Sequence, residues 1–205
     1  MTTTIFTIAT IAIPLILAIA IVALCVATYN ELVSLKNKTD NGFSQISVQL
    51  QRRHDLIPSL VECVKAYMAH ERETLESVIA ARNTALANLK NAQANPTDKT
   101  ALAAVGHSEG LLAGVLGNMC IVMEDYPELN ANDNVTTLME QLTSTENRIE
   151  FARQSYNDWV TAFNTYRQSF PTCLLAGLLK FKEDATLLEF ENAEAIKQAP
   201  KIQLV

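Results

Sequence analysis

The first thirty residues of the chain contain no Asp, Glu, Lys or Arg. From Ile5 to Ala27 the run is apolar apart from Thr7, Thr10 and Pro14. At 23 residues it exceeds the roughly 20 that a helix needs to cross the hydrocarbon of a bilayer. A secretory signal is the rival reading, and it wants a basic start and a small-x-small cleavage site. Residues 1–4 carry no Lys or Arg, and Cys25-Val26-Ala27 is a poor site. A lipoprotein signal wants a small residue before its cysteine, whereas Leu24 precedes Cys25. We therefore read an uncleaved single-pass anchor running through Ile5, Ile11, Pro14, Leu17, Ile21 and Leu24. Pro14 would kink it, and Tyr29 sits where an interfacial aromatic would.

All 38 charged residues fall in the other 175 positions, about 22% of them, an ordinary soluble share. The net charge of −6 argues against nucleic acid as a partner, since binding it needs a basic face. Lys36 and Lys38 follow the span, and no Lys or Arg precedes it. The positive-inside rule then puts the main domain on the cytoplasmic side of the membrane, although Glu31 and Asp40 dilute the signal. Cys63, Cys120 and Cys173 are scattered and unlike a disulfide framework, in weak agreement.

Beyond the anchor, apolar residues recur every three or four positions in four segments. The first seam is Leu32, Leu35, Thr39, Phe43, Ile46, Leu50, Arg53 and Ile57, with a break at Pro58. The second runs from Val61 through Met68, Leu75 and Val78 to Leu89, before Asn95-Pro96. The third is Leu102, Val105, Glu109, Leu112, Leu116, Met119, Met123 and Tyr126, closed by Pro127 and the Asn130–Asn134 cluster. The fourth steps from Val135 through Leu142, Ile149 and Tyr156 to Phe163, ending near Phe170-Pro171. No segment alternates with period two, and few glycines and prolines leave little room for an all-β chain. The expected fold is all-α: a transmembrane helix (1–29) continuing into an elongated antiparallel four-helix bundle (30–170). Its helices would cover about 30–55, 58–94, 97–126 and 131–169, with an amphipathic, membrane-proximal tail at 171–205.

The residues along these segments resemble the LemA family. The match runs through Tyr29-Asn30-Glu31-Leu32-Val33-Ser34-Leu35, Phe43-Ser44-Gln45-Ile46 and Val48-Gln49-Leu50-Gln51-Arg52-Arg53. It continues in Asp55-Leu56-Ile57-Pro58-Ser59-Leu60-Val61, His70-Glu71-Arg72-Glu73-Thr74-Leu75 and Ala81-Arg82-Asn83. Later come Thr145-Glu146-Asn147-Arg148-Ile149, Ala152-Arg153, Tyr156-Asn157 and Phe170-Pro171. The resemblance implies a bacterial single-pass membrane protein with a helical-bundle domain, and no agreed enzyme activity. Two features depart from it: Phe43 stands where a tryptophan is expected, and the third helix is unusually rich in glycine.

A bundle built on an anchored first helix assigns a membrane end and a distal end to every helix. Residues 91–147 carry one positive and eight negative charges, whereas the flanking stretches nearly balance. Glu124, Asp125, Glu128 and Asp133 would cluster at the distal tip. They form either a solvated loop or a docking surface beside Arg52 and Arg53. Near the membrane, Leu174, Leu175, Leu178, Leu179 and Phe181 would lie in the interface, with Lys180 and Lys182 reaching the headgroups. The alternative is a flap packed on the bundle end.

Gly106, Gly110, Gly114 and Gly117 permit close helix approach, either in an internal seam or at a subunit or lipid contact. Thr100 to Met123 holds one charge, Glu109, and so also competes weakly as a second span. Glu146, Arg148, Arg153 and Asn157 read as a polar layer fixing bundle register, or else as a functional pocket.

No catalytic constellation, metal-ligand spacing or cofactor fingerprint appears. Glu-x-x-His is missing, His70-Glu71 is followed by Thr74 rather than a second histidine, and no phosphate-binding glycine loop occurs. The chain is expected to be a non-enzymatic, membrane-anchored scaffold without catalytic, cofactor or metal residues. It would form homo-oligomers and bind membrane lipid or membrane-protein partners. A sensor that signals through its anchor is the alternative.

Overall fold

A computed structural model describes residues 2–96 and 98–190, with side-chain surroundings from residue 12 onward, Asn130 excepted. Among the described residues six helices follow one another: α1 (Thr2–Lys65), α2 (Arg72–Ala94), α3 (Lys99–Met123), α4 (Pro127–Asn130), α5 (Asp133–Gln168) and α6 (Thr172–Ala176). The described residues form no strand, so the chain is all-α. Residues 191–205 of the expected tail, and the side chains of Ile5 and Ile11, lie outside what is described.

Helix α1 is uninterrupted for 64 residues and runs past the break expected at Pro58. A proline inside a helix leaves the carbonyl four residues back without its N–H donor. Here that carbonyl is His54 O, and Arg82 Nε of α2 donates to it at 2.9 Å. The first connection therefore falls after Lys65, about 18 Å farther along the helix than Arg53. The second helix accordingly starts at Arg72 rather than residue 58.

The later boundaries follow local chemistry. Asp98 caps α3, its side chain accepting from Thr100 N at 2.9 Å. Pro127 occupies the first turn of α4, where a missing N–H is harmless. Asn132 Oδ1 accepts from the N–H groups of Asn134 and Val135 at the start of α5.

The chain divides into two compact units. One comprises Asp40–Asp158 with Thr186–Val205. Its core joins Ile57, Leu60, Val61 and Val64 of α1 to Leu75, Val78 and Ala85 of α2, Leu112, Met119 and Met123 of α3, Leu129 of α4 and Val135 of α5. The seams read from the sequence supply these positions, except for Leu60 and Leu129. Helix α3 is long and apolar enough to cross a membrane, but its Leu112, Met119 and Met123 are buried in this core, so we read it as a core helix. Gly42 lets α1 approach α5 closely, since a Cβ there would lie 3.2 Å from Tyr156 Cα. Phe43, in the position where tryptophan was expected, is buried with its ring 6.2 Å from that of Tyr156.

The other unit comprises Met1–Thr39 with Trp159–Ala185. Leu32, Leu35, Phe163 and Ala176 are buried together, with Trp159, Leu179 and Phe181 packed against them. The Phe181 ring stands 6.2 Å from both Tyr29 and Phe163, and Lys38 Nζ lies 4.7 Å from the Trp159 ring centroid. In the same unit Leu17, Ile21 and Leu24 are exposed along the stem, as are Ile13, Ile16 and Val22. A helix this apolar, with its large side chains turned outward, is long enough to cross a membrane.

Candidate functional site

The most unusual chemistry lies in the interior of the larger unit. Arg53 is 2% exposed, and His54 and Glu109 are fully buried. Arg53 occupies the inward seam of α1 between Leu50 and Ile57, and Glu109 occupies the matching seam of α3 between Val105 and Leu112. The two are ion-paired through Arg53 Nη2 and Glu109 Oε2. Arg53 Nη1 also reaches Glu146 Oε2 of α5 at 2.5 Å. One guanidinium thus ties three helices together. Burial works against its charge, but Glu109 and Glu146 more than offset this and hold the Arg53 pKa above its ordinary value.

The cluster is incompletely satisfied. His54 Nε2 lies 2.8 Å from Glu109 Oε1, but the two are misaligned for a hydrogen bond. Both atoms lack a hydrogen-bond partner, as do Arg53 Nε, His54 Nδ1 and the nearby Gln49 Oε1. Such groups tie helices into one register at some cost in stability. Among the described residues no group of three His, Cys, Asp or Glu side chains could hold a metal ion.

The residues expected to form one polar layer separate into three roles. Glu146 completes the Arg53 cluster. Arg148 is exposed and lines an open groove between α1 and α5 with Gln45, Val48 and Phe151. Arg153 and Asn157 hold the chain that follows α6. Asn157 Nδ2 donates to Leu188 O at 3.1 Å, and Asn157 Oδ1 accepts from Leu188 N at 2.9 Å. Arg153 pairs with Glu150, and its guanidinium carbon stands 5.4 Å from the Phe190 ring centroid. Tyr156 Oη donates to Thr186 O at 2.8 Å. In the other unit Asn164 clasps Ala185 in the same two-bond manner.

The extended segment at 186–190 also explains one of the glycines. Gly106 is buried, and a Cβ on it would collide with the Glu189 carbonyl. Gly110 is buried too, whereas Gly114 and Gly117 are exposed, and a Cβ at Gly117 would meet nothing. The four therefore differ in exposure, two turned inward and two outward.

The charged surface differs from expectation as well. Arg53 is interior rather than part of an exposed tip, because α1 continues beyond it. Arg52 is exposed. Glu124, Asp125, Glu128 and Asp133 are exposed near the α3–α5 connection. The neighbours of that connection come from the turn after α1: Tyr126 Oη reaches Glu71 Oε1 at 3.5 Å and Asn132 Nδ2 reaches Tyr67 Oη at 3.3 Å. Burial, with Glu71 and Asp125 beside it, raises the Tyr126 pKa.

Residues 170–182 divide by face. Ala176, Leu179 and Phe181 turn into the smaller unit's core. Leu174 and Leu178 are 67% and 81% exposed, Phe170 is exposed beside them in sequence, and Lys180 and Lys182 also face outward. Leu175 is half-buried.

Sequence reasoning did not pair Arg53 with Glu109, although each interrupted an apolar seam. Opposite charges at inward positions of two helices were the available signal. Nothing in the sequence marked the Asn157 and Asn164 clasps, because their partners are backbone groups.

The known proteins that this chain is similar to include magnetosome proteins MamQ 2 and MamQ 1 of Paramagnetospirillum magneticum. Each is 25% identical over 179 residues, which cover 80% of this chain. Magnetosome protein MamQ of Magnetospirillum gryphiswaldense is 24% identical over 187 residues, covering 84% of this chain and 69% of its own. The chain spans 66%, just under two thirds, of the length of the two P. magneticum proteins. The LemA family model matches residues 42–204. With the exposed apolar stem, this supports a membrane-associated protein, and the chain belongs to the LemA family.

Proposed function

We propose that this chain is a non-enzymatic scaffold of the bacterial cytoplasmic membrane that self-associates and binds lipid or protein partners at the bilayer surface. The observation that carries the reading is the continuity of α1. One helix holds both the outward-facing apolar stem and the interior residues that tie three helices together. A stem exposing Ile13, Ile16, Leu17, Ile21 and Val22 to water would be an aggregation hazard, whereas hydrocarbon suits it. Lys36 and Lys38 support a cytoplasmic helical domain. Leu174 and Leu178, flanked by Lys180 and Lys182, support contact with lipid.

The test is extraction of the full chain in mild detergent, followed by mass measurement and imaging. A ring, cage or other defined oligomer is expected, and a strict monomer overturns self-association. Release of the chain from membranes by alkaline carbonate overturns the anchor. For lipid contact, fluorophores at L174C and L178C in liposomes are expected to resist an aqueous quencher.

A second reading, a bundle that senses a small molecule and signals through its anchor, draws on the open groove of about 520 Å³ between α1 and α5. A small molecule that raises the melting temperature by binding there would favour it.

A further inference from the structure

Helix α3 differs from the other long helices of the larger unit in what it turns outward. Exposed positions run along one line through Ala103, His107, Leu111, Gly114, Asn118 and Ile121, spaced by three and four residues. Between Lys99 and Glu124 the helix has one charged side chain, Glu109, and it is buried. The outward line is therefore free of charge for about 27 Å. It also carries Leu111, 50% exposed, and Ile121, 65% exposed. The other helices expose charge: Arg52 and Asp55 on α1, Arg72 and Glu76 on α2, Glu140 and Glu150 on α5.

We propose that this face is where two copies of the chain meet, the α3 of one packed on the α3 of its neighbour in the same membrane. The inference rests on the self-association proposed above and names its surface.

The first argument is symmetry. Two copies anchored in one membrane are related by an axis along the membrane normal, and their contact uses the same patch on both. Each residue on that axis then lies opposite its own copy. A charge there would meet the same charge, and such a pairing opposes association. Among the described residues of the larger unit, α3 offers the longest line without this penalty.

The second argument is apolar surface. Leu111 and Ile121 stand about 15 Å apart on the line, so one partner helix covers both. Gly117 sits to one side, about 70° round the helix from the middle of the line, and takes no part.

The third argument is area, and it selects the partner. A strip of about 27 Å by one helix width, about 10 Å, is well short of the roughly 800 Å² per partner that a freely diffusing pair needs. A partner held in the same membrane plane needs less, because anchoring raises its effective concentration without any new contact. A second copy meets that condition and supplies the matching uncharged face.

The test is cross-linking of the full chain in bacterial membranes, in a cysteine-free background (C25A, C63A, C120A and C173A). A short bis-maleimide is expected to join I121C to its own copy at a yield at least about fivefold above that of V48C, an exposed position on α1. L111C should behave as I121C does. Equal yields from I121C and V48C overturn the proposal, as does a link from I121C to a different protein in place of its own copy. A second measurement needs no cysteine changes. L111E/I121E alters only exposed side chains, so its helix content is expected to hold, while the oligomer fraction in mild detergent falls at least about tenfold. A defined oligomer that survives L111E/I121E leaves self-association standing and overturns this contact alone. A native chain that is a strict monomer overturns both.

Discussion

Asn157 and Leu188 join side chain to backbone through two hydrogen bonds, the amide nitrogen donating to the Leu188 carbonyl and the amide oxygen accepting from the Leu188 N–H. An extended segment alone leaves one donor and one acceptor per residue without partners. Asparagine presents a donor and an acceptor on one planar group, so a single side chain stands in for a neighbouring strand. N157A is therefore expected to cost about 1–3 kcal/mol, since a buried leucine keeps its polar backbone and loses both partners. Denaturant unfolding measures the cost, and faster exchange of the Leu188 amide locates it. An unchanged amide would show that the clasp does not hold the segment.

Two glycines on α3 should answer oppositely to the same substitution. Gly106 lies against the Glu189 carbonyl, so G106A forces the segment at 186–190 away from α3, at about 1–3 kcal/mol. At Gly117 a Cβ meets nothing, and alanine restores helix propensity worth roughly 1 kcal/mol. Melting temperatures of the two variants should move in opposite directions. A matching fall in both would mean that Gly117 is covered in the intact molecule.

The Arg53 cluster predicts a non-additive pair. R53M removes the cation and leaves Glu109 buried, at about 3–5 kcal/mol. In R53M/E109L neither group remains, and apolar side chains of similar bulk fill the site. The double variant should recover much of the loss and melt above R53M. If the two losses simply add, the carboxylate in R53M has found another partner.

Tyr156 links the segment at 186–190 to alkaline pH. Burial, with a smaller contribution from Asp40, pushes its phenol up to about 12. An unfolded tyrosine titrates near 10. Below pH 10 both states keep the proton and the stabilisation is fully present. Between 10 and 12 the unfolded state releases the proton first, so stability falls as pH rises, by of order 2 kcal/mol across the window. Y156F should unfold with a shallower alkaline slope. An identical slope would assign the loss to other groups.

Much of the larger unit was legible because burial imposes the helical period on sequence. Leu50, Ile57, Leu112, Met119 and Val135 were read as inward from spacing alone, and the core contains most of them. The exposed stem was legible for a cruder reason, thirty residues without charge. Other features hid because their partners are distant or are backbone. Arg53 was taken for a tip residue because charge suggested surface, while its seam position pointed inward. The clasp by Asn157 depends on a segment 31 residues away that has no periodic signature. Pro58 misled most, since a proline signals a break unless something else satisfies the carbonyl it orphans.

That compensation predicts a coupling between Pro58 and Arg82. His54 O, four residues before the proline, accepts from Arg82 Nε, and His54 is fully buried. R82M should therefore cost about 1–3 kcal/mol in the native sequence, because a buried carbonyl loses the donor that replaces the missing proline N–H. In P58A the alanine supplies the ordinary intrahelical N–H, and His54 O no longer depends on α2. R82M added to P58A should then cost about 1 kcal/mol less than it does alone. The cycle separates this carbonyl from the other work of Arg82, its contacts with Asn83 and Asp55, which persist in both backgrounds. Equal costs with and without the proline would show that α1 passes through Pro58 without help from α2. A coupling near the expected size would show that the length of the first helix is set partly by a side chain on the second.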